Sequence, residues 1–336
     1  MFPKLIIMLN LLLGLVLSGC SLHESPAPSC ERGTVRFAFE ATKASVYGYE
    51  DNVGALDVMV FRQKDGALDA RTRSYGSGTV SLDVMLGVPM YWVVVANSPA
   101  SSLDGVSSLE DFLARKVSLE DNGEDFLVMY DRGSWGIEGP GEIVPVSLRR
   151  YVSKVSVRSL RVAWLDGFKT RPSVTLERMA LVNVNGSVSF GGTPECGDLW
   201  YNRMAVDGSL SPAVGRMLSV PLGSLPVADS SPVDVTSPMY AMPNPVSEVL
   251  YSDEAPSWSA RATLVTLELR VDGISNWYSV ALPAMECNSH YVIEELVVRG
   301  PGSQGPGGRI DRSLIGGSVE VVPWDESCSD VEFPLN

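Results

Sequence analysis

Histidine is scarce in this chain: two of 336 residues, His23 and His290. With so little imidazole, a His-based catalytic triad or a His-ligated metal centre has almost no material. The short chemical signatures are missing too, with no G-x-S-x-G, no H-E-x-x-H and no C-x-x-C anywhere. Positive charge is also in short supply. Lys and Arg number 26 against 40 Asp and Glu, for a net charge of −14 and a pI near 4.6. Such a balance is a poor match for nucleic acid, whose phosphates demand a basic surface. The acidic residues spread along the chain without forming a tail, as suits solubility at a cell surface. Nor is there an apolar run long enough for a bilayer. The longest, Leu5 to Leu17, has 13 residues, where a spanning helix needs roughly 20.

What is present begins with export. Lys4 supplies a positive start, the short apolar run follows, and Leu17-Ser18-Gly19-Cys20 closes it, which describes a cleaved signal peptide over residues 1–19. The Leu-Ser-Gly-Cys exit resembles the bacterial lipobox. It implies that Cys20 is acylated, becomes the new N-terminus and holds the protein on the outer membrane. Removing Lys4 with the signal moves the net charge from −14 to −15. Four cysteines remain: Cys30, Cys196, Cys287 and Cys328. In an exported chain they allow two disulfides in any of three connectivities, with free buried thiols as the alternative.

Residues 20–33 are polar and proline-bearing and read as a tether. Beyond them, β-branched and alternating segments dominate: Thr34 to Ala41, Ala55 to Arg62, Thr79 to Leu86 and Tyr91 to Ala96. Ser107 to Lys116 is the one convincing helix, with Ser107 placed to cap it, Glu110 completing a capping box, and Leu109, Phe112 and Leu113 on one face. A second β-rich half opens near Ser153 and includes Ser173 to Asn183, Ala262 to Val271, Tyr278 to Leu282, Tyr291 to Arg299 and Ser318 to Trp324. Gly192 to Asn202 and Leu218 to Pro245 read as long loops. Many short strands and almost no helix predict an all-β protein of two β-sandwich domains in tandem, with the short helix in the first. The expected domains are 34–152 and 153–336.

Candidate chemical sites thin out on inspection. Gly300 to Gly305 spells G-x-G-x-x-G after a strand. Pro306-Gly307-Gly308 follows, however, where a dinucleotide site needs a helix N-terminus, so the segment reads as a turn. Glu120 to Asp125 carries oxygen ligands without the spacing of a calcium loop and reads as an acidic turn. The tryptophans are scattered rather than clustered, which favours packing roles over a sugar platform. No catalytic residue, metal site or cofactor is expected.

Several segments together resemble the fimbrillin-type pilus subunits of Bacteroidales, which are surface lipoproteins. Leu56-Asp57-Val58-Met59-Val60-Phe61 followed by Asp65-Gly66 looks like the family's early strand and turn. Val93-Val94-Val95-Ala96-Asn97 resembles its strand ending in Ala-Asn. Val146 to Val155 looks like its junction strand, Asn288 to Tyr291 with Val298 to Ser303 its penultimate strand and turn, and Val319 to Trp324 its closing strand. The Cys30-Glu31-Arg32-Gly33 start also looks like that of anchor or accessory subunits. The resemblance implies a structural protein with no enzymatic activity, whose partners are other fimbrial subunits, the outer membrane through its lipid, and surface ligands on host or bacterial cells. In such subunits a protease cuts behind the first strand, and a C-terminal strand from a neighbour fills the vacated groove. Here Lys43 is the basic residue behind Thr34 to Ala41, so the cut is expected between Lys43 and Ala44. The donor would be Ser318 to Asn336, with Val319, Val321 and Trp324 and then Val331, Phe333 and Leu335 as its apolar residues. A fimbrial anchor or accessory lipoprotein and a glycan-binding surface lipoprotein are the alternatives.

Overall fold

A computed structural model describes residues 31–39, 48–76, 78–123, 125–136, 139–167, 172–191, 196–204, 210–235, 237–251 and 257–324. The apolar runs of β2 (Ala55–Arg62) and β5 (Pro89–Ala96) are nearly continuous, as in strands covered on both faces. They lie at the middle of a five-stranded sheet in the order β3-β2-β5-β7-β9, with β3 (Leu68–Tyr75), β7 (Met129–Gly136) and β9 (Arg149–Arg150) completing it. One face carries Leu56, Val58, Val60, Met90, Trp92 and Val94. It packs on a three-stranded sheet, β4-β1-β8, made of β4 (Val80–Met85), β1 (Arg32–Phe39) and β8 (Ile143–Val146). The other face presents Met59, Phe61, Val93, Val95 and Tyr130 to a core that continues into the second half of the chain. On this face Asp57 is buried, and Arg71 and Arg73 of β3 neutralise it at 3.1 and 2.6 Å.

The second half forms two further sheets. β10 (Ser153–Val162) pairs in parallel with β20 (Ser289–Val298), and β16 (Val233–Asp234), β17 (Met239–Ala241), β21 (Ile315–Gly316) and β22 (Val319–Pro323) flank this pair. The facing sheet runs β15-β11-β18-β19, from β15 (Ser219–Pro226), β11 (Val174–Val182), β18 (Leu264–Val271) and β19 (Ile274–Ala281). Val155, Val157 and Leu160 of one sheet and Leu176, Met179 and Leu267 of the other share one apolar cluster. A small ladder bridges the two halves of the sequence, β6 (Lys116–Ser118) against β13 (Ser187–Ser189), and another short ladder pairs β12 (Val184–Asn185) with β14 (Trp200–Tyr201).

The all-β class follows from the alternation and turn signals. Two local expectations need correction, and one strand has no counterpart in the sequence pattern. The helix, α1, spans Leu109–Ala114 only, and its cap is Ser108, whose side chain accepts from Asp111 N–H. Ser107 instead bonds the Asp111 carboxylate, and the capping box that does form, between Ser118 and Asp121, belongs to a separate 3-10 turn at Leu119–Asp121. Leu218 to Pro245 is no structureless loop, since it holds β15, β16 and β17; their ladders to β10 and β11 override the proline-rich local sequence. The strand without a counterpart is β3, whose sequence LDARTRSY lacks an apolar side because its arginines serve Asp57.

Candidate functional site

The three-stranded sheet places β1 between two partners. It runs antiparallel to β4, from Arg32 opposite Met85 to Phe37 opposite Val80. It runs parallel to β8, from Arg36 opposite Ile143 to Phe39 opposite Val146. Both hydrogen-bonding edges of β1 are therefore engaged, unlike those of an ordinary terminal strand. Alternation turns Val35 and Phe37 inward, both at 0 % exposure. The Phe37 ring stands edge-on to Trp92 at 5.9 Å and to Trp135 at 5.8 Å, an arrangement that ring quadrupoles favour. Trp92 reaches this position because residue 133 is glycine: a Cβ there would lie 2.7 Å from the indole.

The rim of this slot is polar and acidic. Asp69 of β3 has a side chain only 1 % exposed and receives the Arg32 guanidinium at 3.0 and 3.5 Å. It also accepts from Met85 N–H at 3.0 Å. Arg32 bonds the Asp83 carbonyl at 2.7 Å as well, and the Thr34 hydroxyl donates to the Asp83 carboxylate at 2.6 Å. So β1 is seated by apolar side chains in the middle and by a basic clamp at its start. In the sequence Arg32 stands out only as part of the Cys30-Glu31-Arg32-Gly33 start. Its partner Asp69 lies 37 positions away with no local signal to join them.

A second cluster sits where the turn Gly48–Asp51 meets β10 and β17. The Glu50 carboxylate, 1 % exposed, holds Lys154 Nζ at 2.7 Å and accepts from the Tyr240 hydroxyl at 2.6 Å. Arg150 pairs with Asp51, donates through Nε to the Glu50 carbonyl at 3.1 Å, and donates its backbone N–H to Asn288 at 3.1 Å. Trp324 covers both cations, with the Arg150 guanidinium 4.6 Å and Lys154 Nζ 5.4 Å from its ring centroid, and stacks on Tyr240 at 5.8 Å. Burial, reinforced by the Glu50 carboxylate, raises the Tyr240 phenol far above its usual range. Burial and then the nearby Lys154 charge push His290 down to about 4, and its Nε2 lies 2.9 Å from the Ser156 hydroxyl. These groups are partnered with one another, and the network clamps the two halves together. The basic residues of the Val146 to Val155 segment are its visible signature in the sequence.

Of the residues singled out in the sequence, Val319, Val321 and Trp324 are described. β22 pairs antiparallel with β20 of its own chain and has no second neighbouring strand among the described residues. Val319 packs on the main core, while Val321 is 50 % exposed. Cys20, Lys43, Ala44, Val331, Phe333 and Leu335 lie outside the described residues, as do Cys30 and Cys328. Cys196 and Cys287 are free thiols. The acidic segment near Glu120 serves local structure: Glu120 accepts from the Tyr201 hydroxyl at 2.7 Å, and Asp121 accepts from Ser118 N–H. The Gly300 to Gly305 segment packs on the β19 backbone, with Ser303 N–H bonded to the Trp277 carbonyl at 2.9 Å. Trp258 is met by the Arg261 and Arg203 guanidinium groups at 4.8 and 5.7 Å and by Trp200 at 5.5 Å.

No protein-family model matches the chain, and no curated protein matches it in sequence. Solved structures do match in shape. A protein of Parabacteroides distasonis ATCC 8503, provisionally assigned to cell adhesion, superposes with a TM-score of 0.65 at 18% identity, over 89% of this chain and 100% of that one. A protein of Bacteroides eggerthii DSM 20697 with the same provisional assignment gives 0.64 at 16% identity, over 88% and 96%. A fimbrilin of Porphyromonas gingivalis W83 gives 0.62 at 16% identity, over 87% and 98%. In fold, the chain is similar to the fimbrillin-type subunits that its sequence resembles.

Proposed function

We propose that the chain is a structural subunit of a cell-surface fimbria, exported, acylated at Cys20 on the outer membrane and joined head-to-tail to its neighbours by strand exchange. The observation that carries this reading is the seat of β1, a terminal strand paired on both edges over an apolar floor. Loss of such a strand leaves two open ladders and an apolar trough, both of which an incoming strand satisfies. Cleavage between Lys43 and Ala44 would free β1, because that bond lies in the stretch joining it to the rest of the first domain. The donor would be Ser318 to Asn336, which starts from the edge strand β22 and carries Val331, Phe333 and Leu335 beyond Trp324. A domain division at 152/153 is supported by the change of sheet between β9 and β10. Donor and acceptor surfaces differ, so the contact propagates instead of closing.

The glycan-binding alternative gains little from the fold, since the Trp258 ring is already engaged by two guanidinium groups and by Trp200. Filaments sheared from expressing cells test the fimbrial reading. The expected result is a ladder of high-mass species in unheated SDS, with assembled material starting at Ala44. Cys20→Ala should abolish lipid labelling and membrane retention, and deletion of Val331 to Asn336 should leave an exported monomer. A full-length chain that never leaves the monomeric fraction in cells that also make the other fimbrial subunits would overturn the reading.

A further inference from the structure

Strand exchange requires that the newcomer suit the rim of the slot as well as its floor. That rim is anionic where β1 begins. The Asp69 side chain is almost wholly buried, and its partners are the Arg32 guanidinium and one backbone N–H, that of Met85. Asp83, next along, faces the Thr34 hydroxyl and lends its carbonyl to Arg32. When β1 leaves, its guanidinium leaves too, and a buried carboxylate without a counter-charge is costly. Whatever replaces β1 must bring a cation to Asp69 or leave it unpaired.

The chain's own candidate donor has none to bring. Ser318 to Asn336 contains Glu320, Asp325, Glu326, Asp330 and Glu332 and not one Lys or Arg. The mismatch does not depend on direction or register, because no position in the segment is basic. If Val331 and Phe333 take the inward places of Val35 and Phe37, Cys328 stands where Arg32 stood and Asp330 meets Asp83. We propose, building on the strand-exchange reading, that the β1 slot selects a strand from a different type of subunit, one carrying Arg or Lys at the Asp69 end. The acidic tail of this chain correspondingly fits a slot with a basic rim. The subunit therefore joins unlike neighbours and does not form a uniform filament of itself, as suits an accessory or anchor position.

The test uses the full chain from Cys20 to Asn336 with a protease recognition sequence placed in residues 40–47, so that β1 is nicked from the chain yet remains seated. Labelled peptides in excess then compete for the slot, and exchange is followed by fluorescence polarisation. The probes are Glu31 to Glu40, the same peptide with Arg32→Glu, the tail Ser318 to Asn336, and that tail with Cys328→Arg and Asp330→Thr. The Arg32→Glu change should weaken binding about tenfold or more, as expected for a lost charge-assisted fork. The natural tail should bind at least as weakly, and its Cys328→Arg, Asp330→Thr version should recover much of the difference. On an Asp69→Asn acceptor the preference should shrink. Should that acceptor fail to fold, the comparison among peptides on the unaltered protein still decides the matter. Equal binding of the natural tail and the Glu31 to Glu40 peptide would overturn the selection proposed here while leaving strand exchange intact. Failure of every peptide, including Glu31 to Glu40, would overturn strand exchange and this inference together.

Discussion

The first and last described strands, β1 and β22, are both read from alternating sequence, yet they sit in opposite circumstances. β1 is interior to its sheet, paired on both edges, with Val35 and Phe37 shut off from solvent. β22 is paired on one edge and leaves Val321 half in water. Taking away an interior strand opens two ladders and a trough, so the vacancy is itself a recognition surface. Taking away an edge strand opens one ladder and a shallow apolar strip. The difference separates a site that accepts a strand from a strand that can be given. The exception in β22 is its end, where Trp324 covers Arg150 and Lys154 and so ties the root of the tail to the clamp between the two halves.

The largest effects should come from the seat of β1. Phe37→Ala in the full chain is expected to cost about 3–5 kcal/mol of unfolding free energy, the range for a buried aromatic truncation that leaves a cavity. Urea denaturation followed by tryptophan fluorescence reads this directly, because Phe37 touches Trp92 and Trp135. A cost below about 1 kcal/mol would mean that β1 contributes little to the seat, and the contrast with β22 would collapse. The clamp comes next. Glu50→Ala strands Lys154 beside Arg150 and should cost about 3 kcal/mol, as when one partner of a buried pair is removed. Replacing both members of the pair, Glu50→Leu with Lys154→Met, should return most of that stability, and a double variant no better than the single one would argue against pairing as the cause.

How much of this contrast was legible in the sequence depends on how local each cause is. The inward pair Val35 and Phe37 and the apolar runs of β2 and β5 were readable, because alternation and composition report burial directly. The interior place of β1 was not, since β4 and β8 come from residues 80–85 and 143–146 and their pairing is a long-range fact. The Arg32–Asp69 clamp was hidden for the same reason, and β3 was missed because Asp69, Arg71 and Arg73 stand where an alternating apolar side would be read. In Leu218 to Pro245, prolines and glycines signalled loop while the ladders to β10 and β11 imposed strands. The carboxylates of the tail were on view throughout, but their meaning depended on Asp69.

Smaller effects probe the root of the tail. Trp324→Ala removes an aromatic cover from two cations and a stack on Tyr240, and should cost about 1–2 kcal/mol. Hydrogen exchange should then quicken in β22 but not in β1, and equal quickening in both strands would show that the two ends are not independent. His290 lies opposite Val322 of β22 and beside Lys154 of β10, with Glu50, Arg158 and the Ser156 hydroxyl around it. Its folded pKa of about 4 lies below the value of about 6.5 for a free histidine, so between those values the unfolded chain binds the extra proton. Its contribution to stability is therefore complete above about pH 6.5 and is lost as pH falls toward 4. His290→Asn should flatten that part of the stability–pH curve, and an unchanged slope would place the acid sensitivity in the carboxylates instead.

The smallest effect should come from Val321, and it sharpens the comparison most. Half of this side chain is already in water in the folded protein, and its alternation partner Val319 does the packing on that face. Val321→Ser should therefore shift the unfolding free energy of the monomer by no more than about 0.5 kcal/mol, the ordinary range for a surface change. Valine is nevertheless a strand former, and a half-exposed valine on an edge strand is the kind of residue that another chain can cover. The same substitution should consequently weaken the joint between subunits more than it weakens the monomer. The two readouts are urea denaturation of the isolated protein and heat resistance of the SDS-stable ladder. Loss of stability in the monomer equal to that in the ladder would mean that Val321 acts only within its own sheet, and β22 would then end where the folded core ends, with the donor confined to the residues after Trp324.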